Sequence, residues 1–287
     1  MLPLNPQLHQ RRLVNKSTLR KPAAPFSVVL LVVLAASCQS KKQRPVALAA
    51  VSHATALPAG EKILTKNRRF VYLVRWYAPA ATTARLDTVT MTASGAPCSF
   101  EATQTCFEWS FRPDTLWTAG FKGNVGAVEN KAEFWIHPPR YGHYRILEFN
   151  PFPHIKLPAT PGRKWEWKIY APDYFADPTW ATWKGVLPVK FRYILGNIVQ
   201  LHTPLGNLPC SRVHAEGISR LGCTTLEAYF HPTYGFVRLD YRNIDASRVQ
   251  LEMLAVDTRP ESNMKTVAQS LNLFKLDSSV ARLNEQE

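Results

Sequence analysis

The chain has 287 residues, 46% of them hydrophobic and 20% charged, which excludes a wholly disordered protein, since such chains lack the apolar residues to build a core. One strongly apolar run, Phe26 to Ala36, spans 11 residues against the roughly 20 that a bilayer-crossing helix needs, so a polytopic membrane protein is excluded too. The net charge of +14 is uneven: eight basic residues and no acid precede residue 45, and the remainder carries 27 bases against 21 acids. Nucleic-acid binding loses most of its support once the leader is set aside.

Residues 1–37 have the layout of a secretory signal: the basic stretch Arg11, Arg12, Lys16, Arg20 and Lys21, then the apolar run, then Ser37 before Cys38. The segment Leu34-Ala-Ala-Ser-Cys38 resembles the lipobox of bacterial lipoproteins, in which small residues precede a cysteine that becomes the lipidated N-terminus. That resemblance implies cleavage after Ser37, acylation of Cys38 and a membrane partner held through the lipid. Several acyl chains give stable attachment where one is weak. Residues 38–62 are polar, Ala- and Pro-containing and without amphipathic period, and so read as a flexible tether.

From residue 63 to 258 alternation dominates, which predicts strands. Phe70–Tyr77 is rich in β-branched and aromatic residues; 87–93 alternates Thr with apolar residues, and 106–111 alternates again. Further strands are expected at 123–136, 143–149, 164–170, 187–195 and 197–203. The segments 211–216, 224–230, 236–241 and 249–256 follow, separated by Gly- and Asn-containing turns in the pattern of an antiparallel meander. Residues 138–188 hold nine prolines, a density that argues against central strands and for an irregular crossover with one or two strands in it. The tail 259–287 should carry a short helix, with Met264, Val267, Ala268 and Leu271 on one face and Ser262 as its cap. The expected fold is mainly β, a curved antiparallel sheet or open β-barrel with a Pro/aromatic-rich crossover and a short C-terminal helix.

Four cysteines follow Cys38. A Cys98–Cys106 disulfide would fit a loop between strands. A Cys210–Cys223 bridge fits poorly, because Cys210 lies far down the ladder from a turn near Leu221-Gly222, and free, partly buried thiols are the alternative there. No CxxC, HExxH, GxSxG, phosphate-binding loop or dinucleotide fingerprint occurs. No catalytic residue, metal ligand or cofactor is therefore assigned, and the carboxylate pairs Asp173/Asp177 and Glu129/Glu133 are not placed across a cleft by spacing alone. His137 and His143 bracket a Pro-Pro-Arg-Tyr-Gly turn and are expected to be surface or hydrogen-bonded loop residues rather than metal ligands.

Four of the eight tryptophans fall in 165–183. One reading makes Trp165, Trp167, Tyr174, Trp180 and Trp183 a ligand platform, since flat rings stack on sugars or line an apolar mouth. The other puts Trp165 and Trp167 on one core-facing strand face and uses the rest to pin a loop.

The stretch Val199 to Leu254, with Thr203-Pro-Leu-Gly206, Cys210, Glu227-Ala-Tyr-Phe-His-Pro-Thr-Tyr-Gly235 and Tyr241-Arg-Asn243, resembles the ending of β-rich envelope lipoproteins of unassigned function. The resemblance implies a fold and a compartment and no activity. The leading functional expectation is a non-catalytic, membrane-anchored envelope lipoprotein binding a lipid-like or apolar ligand in the sheet concavity. A glycan or cell-wall module using the rings of 170–183, and a structural or assembly lipoprotein with protein partners, are the alternatives.

Overall fold

The structure, a computed structural model, describes residues 62–111 and 122–257; the leader, Cys38, the tether and the expected tail helix lie outside them. Twelve strands run in chain order: β1 (Arg69–Tyr77), β2 (Arg85–Pro97), β3 (Thr105–Phe111), β4 (Lys122–Glu129), β5 (Glu133–Ile136), β6 (His154–Lys156), β7 (Lys164–Pro172), β8 (Val186–Thr203), β9 (Gly206–Ser219), β10 (Gly222–His231), β11 (Gly235–Arg242) and β12 (Arg248–Asp257). They form one antiparallel sheet in the order β6-β5-β4-β3-β2-β1-β12-β11-β10-β9-β8-β7, curled into a half-barrel. The mainly β class and the curved antiparallel sheet follow as expected.

The order is a continuous meander opened at one place. Every consecutive pair of strands is hydrogen-bonded except β6 and β7, and the ring is completed instead by β1 pairing with β12, Arg69 opposite Asp257 and Trp76 opposite Val249. The two edge strands both come from the proline-dense segment. Proline has no N–H to give a ladder: β6 is kept short between Pro153 and Pro158, and β7 ends at Pro172.

Alternation sorts each strand into an inner and an outer row. The inner row includes Phe70, Tyr72 and Val74 of β1, Val89 and Met91 of β2, Phe107 and Trp109 of β3, Leu226 of β10 and Leu251 of β12, all buried. Burying a side chain of this kind stabilises the fold by roughly 1.5–3 kcal/mol each. The outer row is polar across several strands. His214 and Arg212 of β9 pair with Glu227 of β10, Arg238 with Asp240 on β11, and Arg75 of β1 with Glu252 of β12.

Three expectations need correction. The segment 143–149 is a 3-10 helix, Gly142–Phe149, and not a strand. Gly142 enters it at φ +56°, a left-handed conformation that favours glycine. Its i→i+3 bonds include Tyr144 N to the Tyr141 carbonyl at 3.0 Å. Residues 123–136 fold as a hairpin, β4 and β5, with Asn130 Oδ1 accepting the N–H groups of Ala132 and Glu133 at the turn. Residues 187–203 form a single long strand, broken only by a bulge between Leu195 and Ile198.

Candidate functional site

A sheet that curls must fill its concave face, and here the chain does so itself. The 3-10 helix Gly142–Phe149 buries Tyr144, Ile146, Leu147, Glu148 and Phe149. Runs of 3-10 helix this long are uncommon because their hydrogen bonds are poor, so packing must hold this one. At one end the Tyr144 ring stacks on Phe111 at 5.4 Å, and its hydroxyl donates to Asp87 at 2.8 Å. At the other, Phe149 meets Trp183 edge-to-face at 4.8 Å, and its carbonyl accepts the Thr224 hydroxyl at 2.9 Å. Gly217 permits that approach, since a Cβ there would lie 2.4 Å from Thr224 Oγ1 and 3.1 Å from the Phe149 oxygen. Buried Asn150 donates to Asn243 Oδ1 at 2.7 Å, fastening the segment to the turn after β11. The cleft beside Phe149, bordered by Val189, Gly217, Thr224 and Ile244, leaves no room for a water molecule.

Within this filled interior sits an ionisable group with no obvious structural need. Glu148 is buried, its nearest cation is Arg140 at 3.7 Å, and its Oε2 finds no hydrogen-bond partner among the described residues. Burial pushes its carboxyl up to about 7, against a smaller pull from Arg140. His137 is lowered to about 3 by burial and by Arg140, and His143 to about 4 by burial and by Arg85. The two histidines have different neighbours: His137 lies 4.5 Å from Phe152, and His143 packs edge-on against Trp76 at 4.6 Å. Sequence spacing carries no sign of Glu148 or Asn150, and shows Asn243 only as a turn residue.

A second cluster closes the gap between the sheet edges. Cross-strand partners share a face, so Trp165 and Trp167 of β7 lie in the same row as their partners Tyr193 and Phe191, which is the inner row. Trp135 of β5 and its partner His154 of β6 lie in the opposite row from Phe134, whose ring contacts Phe230 and Phe236 inside. Trp167 nevertheless meets Trp135 at 5.2 Å, and Trp165 meets His154 at 5.5 Å. The edges therefore overlap, with the inner face of β7–β8 lying over the outer face of β5–β6.

His154 is the polar centre of this overlap. Trp165 Nε1 can only donate, and it donates to His154 Nδ1 at 3.1 Å; the remaining nitrogen, Nε2, then donates to Glu133 Oε2 at 2.9 Å. The ring is held neutral as the Nε2–H tautomer. Burial lowers it to about 4, outweighing the hydrogen bond to Glu133 that acts the other way. Burial opposes the charge on Glu133, yet hydrogen bonds from Lys156 and His154 hold its carboxyl below the ordinary range.

The five rings singled out from the sequence are divided among three places. Trp165 and Trp167 belong to the overlap. Trp183 is buried and donates to the Ala171 carbonyl at 3.3 Å, and half-buried Trp180 donates to the Phe175 carbonyl at 3.2 Å. Tyr174 alone of the five is open to solvent, 64% exposed, with exposed Tyr170 nearby in sequence. The rings are not brought together as one flat platform.

The carboxylate pairs are likewise taken up locally. Asp173 accepts the Gly185 N–H, Asp177 caps Thr179, and Glu129 accepts the N–H groups of Ile63 and Leu64. No group of three or more metal-ligating side chains occurs among the described residues. Cys98 and Cys106 are joined as a disulfide, Cα atoms 4.8 Å apart, across the β2–β3 connection. Cys210 is a free, buried thiol, pushed up to about 12 by burial, so no Cys210–Cys223 bridge forms and the free-thiol alternative holds for Cys210 only.

No family model matches the sequence, and no curated protein matches it. Three solved structures show a distant likeness. One is a protein thought to be exported, with a YmcC-like fold, from Bacteroides fragilis: 10% identity, 68% of this chain and 97% of that one, TM-score 0.37. A candidate lipoprotein from Parabacteroides distasonis gives 13% identity over 68% and 96% of the two chains, TM-score 0.39. The hypothetical lipoprotein YmcC from Escherichia coli gives 12% identity over 68% and 90%, TM-score 0.33. At these scores no residue role passes from those proteins to this chain.

Proposed function

We propose that this chain is a non-catalytic lipoprotein of the bacterial envelope, anchored through Cys38 and presenting its β domain at the membrane surface. The observation that carries this is the Cys98–Cys106 disulfide, in a domain that follows the expected export leader, residues 1–37, and the lipobox cysteine Cys38. Disulfides persist in oxidising compartments such as the periplasm and are rare in the cytosol. The outer row supports a water-facing domain. A membrane-spanning barrel turns an apolar band outward, whereas this sheet turns out the ion pairs of β9 to β12 and β1.

The filled interior moves the functional surface outward. Leu147, Phe149 and their neighbours occupy the concavity in which an apolar guest would sit. Recognition then belongs to the exterior, which favours the structural or assembly role. A glycan-binding role would rest on Tyr174 alone among the five rings considered.

The test is cell fractionation of wild type and Cys38→Ala. Wild type should partition with membranes and carry an acyl mass on its N-terminal cysteine, and Cys38→Ala should be soluble in the periplasm. Retention of Cys38→Ala in the membrane fraction, or an unmodified wild-type cysteine, refutes the anchor.

A further inference from the structure

The hairpin of β8 and β9 reaches beyond its neighbours. Pairing of β7 with β8 begins at Lys164 opposite Ile194, and pairing of β9 with β10 ends at Ser211 opposite Phe230. Residues 198–203 of β8 therefore pair with β9 on one side only, and their other rim has no partner strand among the described residues.

The backbone groups on that rim follow from the turn. Thr203 and Gly206 close a two-residue hairpin loop, and in such a hairpin the closing pair is hydrogen-bonded and the pairs beyond alternate. Leu201 and Val199 thus spend their N–H and C=O groups on β9, while Ile198, Gln200 and His202 direct theirs away from it. Pro209 confirms the phase independently. It stands opposite Gln200, and with no N–H it fits only at a pair that is not hydrogen-bonded.

Proteins blunt such rims with charge, proline or brevity. The other edges here do so: β6 has three residues between Pro153 and Pro158, β7 carries Lys164, Glu166 and Lys168, and the free rim of β9 holds Pro209. The β8 rim, Ile198-Val-Gln-Leu-His202, has neither charge nor proline. Gln200 and His202 are exposed there, and Val199 and Leu201 are half-buried.

We propose that this rim pairs antiparallel with the same rim of a second copy of the chain. A twofold axis at Gln200 sets Gln200 against itself and Ile198 against His202 of the other copy. All three pairs then fall at hydrogen-bonding positions, so every outward N–H and C=O of the segment is satisfied. Val199 and Leu201 meet across the axis at the closer, non-hydrogen-bonded positions. An uncharged segment suits this arrangement, because a symmetric interface places each residue near its own copy and any charge near a like charge. The pairing consumes the rim, so the assembly closes as a dimer.

The test is the mass of the full chain in detergent over a concentration series, by sedimentation or light scattering, with circular dichroism as the check on folding. Wild type should show a monomer–dimer equilibrium. Gln200→Pro removes no bond to β9 but deletes the two N–H donors at the axis, and Gln200→Lys places two ammonium groups there. Each should weaken the dimer by at least about tenfold with unchanged dichroism. Should Gln200→Pro disturb the strand spectrum, Gln200→Lys decides alone. A wild-type chain monomeric at every concentration overturns the proposal. So does a dimer that survives the variants, or association that continues past two copies.

Discussion

Replacing Leu147 by alanine tests whether the 3-10 helix is part of the core or a removable stopper. Leu147 is fully buried, as is its neighbour Ile146. Truncation to alanine removes its methyl groups from a site bounded by a rigid sheet, where collapse is limited, and such changes cost about 2–5 kcal/mol. For a domain of this size each kcal/mol lowers the melting temperature by about 2–4 °C, so the loss should be about 4–20 °C. Urea unfolding followed by both tryptophan fluorescence and far-ultraviolet dichroism is the assay. The two signals should stay superimposed and shift together, since Phe149 contacts Trp183 and the helix unfolds with the sheet. A shift below about 1 kcal/mol refutes the reasoning, as does a separate early transition in fluorescence alone. Either would mean that the helix leaves while the sheet stands, and that the concavity is open to a guest after all.

Two further outcomes concern ionisation and the overlapping edges. His137, His143 and His154 have folded values depressed below 6.5, so each contributes stability that is present above the unfolded value and lost as the pH falls through the folded one. Glu148 has a raised value and acts with the opposite sign between about pH 4.5 and 7, where its contribution fades as the pH rises. Wild type should therefore lose stability from pH 6.5 toward 4, and Glu148→Gln should lose it more steeply; equal slopes in urea titrations at pH 7, 6 and 5 would contradict the raised carboxyl. Trp165→Phe deletes the donor to His154 Nδ1 and should cost about 1–3 kcal/mol by leaving a buried acceptor unpaired. Nitrogen chemical shifts of His154 should then lose the pure Nε2–H pattern, and an unaltered pattern counts against the assigned bonds.

Local patterning carried the strand inventory and little of its arrangement. The meander from 211 to 256 was legible because its turns use Gly and Asn at the ends of alternating runs. Proline density also placed 138–188 away from the sheet centre, and β6 and β7 prove to be the two edges. The helix Gly142–Phe149 reads as a strand in the sequence because a short apolar run has the same composition in either state. Only the space inside the curled sheet decides between them. Pairing of β1 with β12 joins segments far apart in sequence and leaves no local trace. The aromatic cluster stands out in the sequence, yet its division among an overlap, buried anchors and an exposed tyrosine depends on which row faces inward, and that is set by register. Glu148 and His154 look like any other Glu and His until burial is known.

The opening of the meander at β6 and β7 has a mechanical consequence. Both ends of the described domain lie on neighbouring strands in the middle of the sheet, with Arg69 of β1 opposite Asp257 of β12 and opposite Thr92 of β2. Tension arriving from the N-terminal side meets first the Glu129 carboxylate that grips the Ile63 and Leu64 amides. It then acts along β1, which is bonded on both flanks. Such a strand is loaded lengthwise, so its ladders must slip together, whereas an edge strand would peel one bond at a time. A domain pulled from its N-terminal side is thus gripped at a strand bonded on both flanks, and the edge strand β6 lies five strands away and carries none of the load.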